Sequence, residues 1–413
     1  MRVLIAAHYA SEDLGGEAAI PLRLIDRLRA RGIETWLVTH DSQAHELRER
    51  FADEPDRLIL TGSLPGMDPV FRVGERLPSG PRELAWTITQ LERLYAMRGR
   101  IRRAVGELGI DVVHQPIGVA PTIPSPLTDL GAPLVIGPLN GGMHMPPAFR
   151  DRDNPVERVV QTISKPIGHL AHRVITGKVR AEAILVANER TRALLPRAAA
   201  ARALVMPETA VVLADWPVKD EDTLSSSGGP VVFMYTGRLV PYKGADLLIQ
   251  GFAEVVRHVD ARLQIVGDGP FRPFLQQEAE RLGVFDRVTF HGWQSQRSSS
   301  ELLRAADVYV LPTLREPGGI SVLEAMASGL PSIVADWGGP AEFLGPEAGL
   351  RVSVASRSRF VPELAEAMLQ LAQDPGRRAA MGRTARERVA AAYNWDTLTS
   401  QLIELYRSST VAR

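Results

Sequence analysis

Arg315-Glu-Pro-Gly-Gly-Ile-Ser-Val-Leu-Glu-Ala-Met-Ala-Ser-Gly-Leu-Pro331 is the stretch from which the rest of this 413-residue chain can be read. Glu316-Pro317-Gly318-Gly319 cannot hold a helix, because Pro restricts the residue before it and paired glycines leave the backbone unconstrained. From about Ser321, the residues Val322, Leu323, Ala325, Met326 and Ala327 predict one short helix. Gly329 suits its C′ position, and Pro331 prevents resumption. A glycine loop opening a helix leaves N–H groups near Gly319, Ile320 and Ser321 without intrahelical partners. Together with the helix dipole they favour a phosphate. Glu316 and Glu324 stand eight residues apart on either side of this loop. Carboxylates repel phosphate, so the pair suits hydroxyls at the two ends of a ligand, the layout of a diphosphate carrying a sugar at each end. A plainer reading stands beside this one: Ser321-x-x-Glu324 is also a capping-box pattern, in which Glu324 ties down only its own helix.

Outward from this stretch, the length suits two domains of 150 to 200 residues rather than one core. Lys+Arg and Asp+Glu are equal at 48, which argues against a general nucleic-acid binder. Cys is absent, so disulfides and thiolate catalysis are excluded. No apolar run reaches the roughly 18 residues needed to span a bilayer. The expectation is a cytoplasmic protein, either free or peripheral at the inner face of a membrane.

The N-terminal half alternates short apolar runs with amphipathic ones. Strands are predicted at Arg2–Ala7, Glu34–Val38, Arg57–Leu60, Asp111–His114, Pro133–Ile136, Ala183–Ala187 and Ala203–Met206, and helices over Ile20–Leu28 and about Arg82–Leu108. This is the β-α-β grammar of a parallel sheet. Gly15 and Gly16 fall at the carboxyl end of the first strand, where open α/β sheets bind ligands. His114 ends another strand, either as a packed residue or as a site residue. The Gly- and Pro-rich run from Gly137 to Pro147 predicts a long shaped loop with Asn140 and His144 as its polar contacts. Arg150 to Arg180 is rich in cations interleaved with apolar residues. It reads either as a solvated helix face or as a surface resting on anionic lipid.

Ser225-Ser-Ser-Gly-Gly229 marks a linker between about 210 and 229. Strands then recur at Pro230–Arg238, Leu263–Val266, Arg287–Phe290, Asp307–Pro312, Ser332–Ala335 and Leu350–Val354, followed by helices over 357–373, 375–391 and 395–408. In the turn after Pro230–Arg238, Gly237 and Gly244 flank Arg238 and Lys243, two cations that converge only on a polyanion. Gly267 and the His291-Gly292-Trp293 run lie at the ends of the next two strands.

Glu-Pro-x-Gly, the apolar run, Glu-Ala-Met-Ala-x-Gly-x-Pro and Gly338-Gly339-Pro340-Ala-Glu342 together resemble the Glu-x7-Glu signature of the retaining glycosyltransferases of family 4. The likeness is specific in the C-terminal half and looser in the N-terminal half. It implies the GT-B fold, two Rossmann-like α/β domains with parallel sheets facing across a cleft. Residues 1–210 would form the acceptor side, 211–394 the nucleotide-sugar donor side, and a final helix of about 395–413 would pack back on the first domain. It also implies a sugar-nucleotide-dependent, hexosyltransferase-type enzyme. Such an enzyme moves a sugar from a UDP- or GDP-sugar to a glycan, glycolipid or small acceptor in polysaccharide or glycoconjugate synthesis, with retention of configuration.

Gly-Arg-Leu-x-x-x-Lys-Gly resembles the family's diphosphate clamp, and His291-Gly-Trp293 its base-contacting segment. The implied donor set is Gly16, Gly237, Arg238, Lys243, Gly267, Gly292, Trp293, Glu316, Gly318, Gly319, Ile320, Ser321 and Glu324. His114, Glu316, Arg238 and Lys243 are the implied catalytic residues, and Gly15, Gly16, His114, Asn140 and His144 the acceptor side. Gly318 stands where the family often has a bulkier residue, which implies a roomier sugar pocket. No Asp-x-Asp pair suited to a metal is apparent, and no cofactor is expected beyond the co-substrate. Leaving-group stabilisation therefore falls to Arg238, Lys243 and the helix end, and a front-face mechanism is expected. A GT-B epimerase and a non-enzymatic sugar-nucleotide sensor remain as alternatives.

Overall fold

A computed structural model describes the chain apart from residues 15, 68–76, 78–80, 118–119, 153–169, 220–228 and 412–413, and the side chains of 83 and 411. It divides into two compact units. One comprises Met1–Gly142, Asn154–Glu208 and Asp396–Arg413, and the other Met143–Asp153 and Thr209–Trp395.

The first unit is built on seven strands: β1 (Arg2–Ala7), β2 (Glu34–His40), β3 (Leu58–Thr61), β4 (Val112–Gln115), β5 (Leu134–Leu139), β6 (Ala183–Val186) and β7 (Ala203–Val205). Their order is β3-β2-β1-β4-β5-β6-β7, and every pairing is parallel. Val3 to Ala7, all of β4 and all of β6 are buried. Continuous apolar runs are what a parallel sheet covered on both faces requires. The Ile20–Arg29 helix buries Leu22, Leu24, Ile25 and Leu28, and takes Pro21 in its first turn, where no N–H bond is lost. The Pro81–Leu108 helix buries Leu94, Met97 and Ile101, but Leu84 and Ile88 of the same predicted stripe are exposed. At 28 residues this helix runs about 42 Å, far beyond the four-residue β3 beside it, so its first turns outrun the sheet.

The second unit has β8 (Val231–Thr236), β9 (Ala261–Val266), β10 (Val288–Gly292), β11 (Val308–Leu311), β12 (Ser332–Ala335) and β13 (Gly349–Val352). They are ordered β10-β9-β8-β11-β12-β13 and are again all parallel. The Ala245–Val255 and Arg357–Gln373 helices bury Leu248, Phe252, Phe360 and Leu364 in one apolar core with Phe233 and Val310. The last three helices are Arg357–Gln373, Pro375–Ala392 and Trp395–Val411, within three residues of the predicted spans.

The second unit also takes in Met143–Asp153, a strap from much earlier in the chain. Phe149 is fully buried, its ring edge-on to Phe360 at 5.4 Å. Full burial of such a side chain is worth about 1.5–3 kcal/mol. Arg152 donates to both carboxylate oxygens of Asp246 at 3.0 and 2.6 Å, Asp151 pairs with Arg357, and the Trp337 indole N–H donates to the His144 carbonyl at 2.8 Å. Arg152 and Lys178, read in sequence as part of a basic face, are therefore internal. Lys178 is fully buried, and its Nζ donates to the Ala120 carbonyl at 2.9 Å. Arg158, Lys165 and His169 of that face lie outside the described residues.

Candidate functional site

In each sheet the strand order reverses once, between β1 and β4 in the first unit and between β8 and β11 in the second. Open α/β sheets bind ligands outside the carboxyl ends of the strands at such a point. In the second unit the two loops leaving this point are bonded to each other. After β8 the chain makes a single turn, Pro241–Lys243, and reaches Gly244 at φ +73°. A Cβ there would lie 2.3 Å from the Pro312 carbonyl oxygen, so only glycine lets the two loops close. Leu314 N–H donates to the Tyr242 carbonyl at 2.9 Å, and the Arg315 guanidinium lies over the Tyr242 ring at 5.2 Å.

This closure brings the Lys243 ammonium into contact with the Glu316 carboxylate, with both side chains largely buried. Burial pushes the Lys243 ammonium down to about 8, and the adjacent carboxylate works against that, so Lys243 is a cation at neutral pH. Arg238, on the same turn, is exposed and has no ion-pair partner among the described residues.

The helix of the signature runs Ile320–Ala327, one residue earlier than predicted. Its N-cap is Gly319 at φ +104°, where a Cβ would lie 2.9 Å from Pro340. No side chain caps the helix, so the capping box is not formed. Ser321 is already inside the helix, and its hydroxyl meets Tyr309 instead. Tyr309 in turn donates to the Thr236 carbonyl at 3.3 Å, and burial pushes its hydroxyl far up. Among the described residues, the first N–H groups of the helix thus stay available to an anion. Gly339 N–H holds the Glu316 carbonyl at 3.0 Å from behind. At the far end, Arg386 donates to the Ala327 carbonyl and, at 2.8 Å, to that of Trp216.

Gly237, Arg238, Lys243, Glu316, Gly318, Gly319, Ile320, Ser321 and Glu324 therefore belong to two loops and one helix at the carboxyl ends of β8 and β11. Gly267 and Gly292 adjoin on the neighbouring strands, with Gly267 N–H donating to the Gly292 carbonyl at 2.8 Å. Trp293 beside them is 79% exposed. His291 is tied to Gln264, and burial lowers its pKa.

The expected acceptor residues are less united. Gly16 is exposed at φ +53°, and Gly15 lies outside the described residues. Asn140 donates to Glu208 at 2.7 Å within the first unit, whereas His144 belongs to the second. His114 requires a correction. It is fully buried, and both ring nitrogens are engaged by the protein. The Gly137 carbonyl, 2.6 Å from Nε2, can only accept, so Nε2 carries the proton. Nδ1 then accepts from the Tyr406 hydroxyl at 2.5 Å. Burial lowers its pKa to about 4. An imidazole so placed has neither a free nitrogen nor an open face for substrate, and His114 is a packed core residue. Sequence reasoning missed Tyr406, 292 residues away, and Arg315 and Arg386; the one available signal was Tyr242 beside Lys243, an aromatic on which a cation could rest.

Among the described residues no helix is long and apolar enough to cross a membrane. Residues 219–388 match the family model described as Glycosyl transferases group 1. A GDP-mannose-dependent alpha-(1-6)-phosphatidylinositol monomannoside mannosyltransferase of Mycobacterium tuberculosis is 37% identical over 185 residues, 43% of this chain and 47% of that protein. The match thus spans about half of that relative's length. An alpha-D-kanosaminyltransferase of Streptomyces kanamyceticus is 29% identical over 84% of this chain and 94% of its own. Among solved structures, sucrose-phosphate synthase from Thermosynechococcus elongatus superposes with a TM-score of 0.67 at 20% identity, covering 100% of this chain and 99% of that one. Anabaena Alr3699/HepE in complex with UDP gives 0.67 at 16% identity, covering 99% of this chain and 100% of that one. The fold is GT-B.

Proposed function

We propose that the chain, whose residues 219–388 match the model described as Glycosyl transferases group 1, is a retaining glycosyltransferase that moves a hexosyl group from a UDP- or GDP-sugar to a glycan or glycolipid acceptor in glycoconjugate synthesis. The observation that carries this reading is the Lys243–Glu316 pair beside the uncapped Gly319–Ser321 helix start, at the β8/β11 reversal. Arg238, Lys243 and the amides of Gly319 to Ser321 hold the donor diphosphate. Glu324 accepts from the ribose hydroxyls, Glu316 lies beside the donor sugar, and the base rests near Gly267, Gly292 and Trp293. The acceptor enters by the first unit, near Gly16.

Transfer requires charge to accumulate on the departing nucleoside diphosphate. Donors fixed in advance where that charge develops stabilise it without reorganisation. Lys243 is already held in place by Glu316, and the exposed Arg238 is available to the outer phosphate oxygens. A front-face displacement, with the leaving phosphate assisting the acceptor hydroxyl, needs no carboxylate nucleophile and no side-chain base at His114. Transfer is metal-independent on this reading; activity lost in chelator and restored only by a divalent ion refutes that part.

The test is thermal unfolding against UDP-, GDP- and ADP-sugars, with Lys243→Ala and Glu324→Ala beside the wild type. A ligand at about 100 times its Kd adds about 2.7 kcal/mol, several degrees for a unit of this size. A shift with one donor that disappears in both variants supports the reading. No shift with any donor, in folded protein, removes it.

A further inference from the structure

The strap Met143–Asp153 reaches both sides of the Lys243–Glu316 pair without contributing a residue to it. At its far end, Arg152 donates to both carboxylate oxygens of Asp246, at 3.0 and 2.6 Å, and to the Pro241 carbonyl at 3.2 Å. Pro241 and Asp246 bracket Lys243 in the chain. At its near end, the strap reaches Glu316 through a single layer of backbone. The Trp337 indole N–H donates to the His144 carbonyl at 2.8 Å. Gly338 is pressed between strap and signature loop: a Cβ there would lie 2.8 Å from Met143 Cε and 2.6 Å from the Glu316 carbonyl oxygen. Gly339 N–H donates to that same carbonyl at 3.0 Å. Between the two ends, Phe149 is buried against Phe360 and anchors the middle of the strap.

Packing alone does not explain Arg152. Its side chain is 12% exposed and that of Asp246 6%, and a buried ion pair is often no more stabilising than apolar residues of the same volume. The best-attested use of such a pair is to fix registry. A planar guanidinium fork sets the direction of what it holds, which a hydrophobic contact does not. What it holds here is the turn that carries Lys243. That lysine has a long flexible stem and meets a carboxylate 73 residues further along the chain. The pair is therefore only as precise as the two loops beneath it. A binding constellation needs a supporting shell to stay within about 0.5 Å of its productive geometry.

We propose that the strap is a brace for the Lys243–Glu316 pair, with Arg152 the positioning residue on the Lys243 side and Trp337, through its bond to His144, the positioning residue on the Glu316 side. The step from brace to donor binding rests on the glycosyltransferase reading; the brace itself belongs to the second unit and is measurable without ligand.

The double variant Arg152→Met/Asp246→Leu removes the fork and leaves no buried charge unpaired, so it tests the brace where Arg152→Met alone is unstable. Lys243 is followed by its rate of amine acetylation, resolved by mass spectrometry, with Lys219 as the internal control. Lys219 is paired with Asp307 at 2.9 Å, its side chain 15% exposed against 18% for Lys243, and Asp307 is itself anchored on the Val232 N–H at 2.8 Å. The expected result is severalfold faster acetylation of Lys243 with Lys219 unchanged, and binding of UDP or GDP weakened about tenfold in calorimetry. Trp337→Phe keeps a ring and removes the N–H. It weakens binding of UDP-glucose or GDP-mannose more than that of the bare nucleotide, because Glu316 faces the sugar; equal weakening overturns the Glu316 side. Unchanged acetylation of Lys243 overturns the brace, as does equal acceleration at Lys219, which is general loosening. Faster acetylation of Lys243 with unaltered nucleotide affinity overturns its part in donor binding. If the double variant is unfolded, Arg152→Lys, which keeps the charge but not the fork, takes its place in every reading. Wild-type protein that binds neither nucleotide sinks the donor reading instead, and the Lys243 rate still decides the brace.

Discussion

Tyr406→Phe removes one oxygen from the core of the first unit and leaves every apolar contact of the ring in place. In the folded chain that oxygen donates to His114 Nδ1 at 2.5 Å, with both side chains fully buried. Without it Nδ1 is a buried acceptor with nothing to accept, which costs about 1–3 kcal/mol. In urea this appears as a lower midpoint with an unchanged slope. The pH dependence gives a second reading. Burial holds His114 at about 4, below its unfolded value near 6.5. Between these limits the unfolded chain takes up a proton that the folded one refuses. Stability is therefore full above 6.5 and falls as pH drops toward 4, by up to about 3 kcal/mol from this group. If the reaction is as proposed, Tyr406→Phe leaves kcat and KM near wild type wherever the protein is folded. A loss below about 0.5 kcal/mol refutes the bond as described. A hundredfold fall in kcat with stability intact refutes the removal of His114 from the catalytic set.

Three further outcomes are expected. Gly319→Ala forces a side chain onto φ +104° and against Pro340, and lowers stability by about 1–2 kcal/mol in thermal melts, with donor binding lost in the same variant. Nucleotide binding weakens as pH rises through about 8, because Lys243 gives up its proton there and the diphosphate loses a cation; a flat affinity from pH 7 to 9.5, measured by calorimetry, removes Lys243 from the contact. Arg152→Met leaves the buried Asp246 carboxylate unpaired and costs about 3–5 kcal/mol, whereas adding Asp246→Leu recovers most of it in a double-mutant cycle.

The sheets were legible because parallel strands buried on both faces write themselves as short apolar runs rich in Val, Ile and Leu, as β1 and β6 do. The donor-side loops were legible because Gly244 and Gly319 mark backbone that no other residue tolerates. The capping box, the plainer reading of Ser321-x-x-Glu324, is not formed, for the opposite reason. Its pattern is local, whereas Tyr309, from another strand, claims Ser321 and the helix begins one residue earlier. His114 misled on the same ground: a histidine at a strand end reads the same whether its partner is substrate or a tyrosine 292 residues downstream. The strap Met143–Asp153 was not legible, its first part being read as the Gly137–Pro147 loop and Arg150 onward as a basic face, because its anchors, Asp246, Trp337 and Phe360, are scattered through the other half of the chain. Leu84 and Ile88 show the limit of periodicity, which identifies a helix stripe but not where the sheet beneath it ends.

The strap has a consequence for the order in which the protein can be made. Phe149 and Asp151 emerge from the ribosome early, and Arg357, which pairs with Asp151, follows 206 residues later. At about 5–20 residues per second this is a wait of roughly 10–40 seconds with an aromatic side chain unburied. The first unit waits longer still, because Tyr406 and the rest of the Trp395–Val411 helix are the last part of its core to be synthesised. The half of the protein that is translated first is thus the half that is completed last. A chain stalled or truncated near residue 395 would carry a finished second unit and an open first one, a form suited to capture by chaperones and proteases.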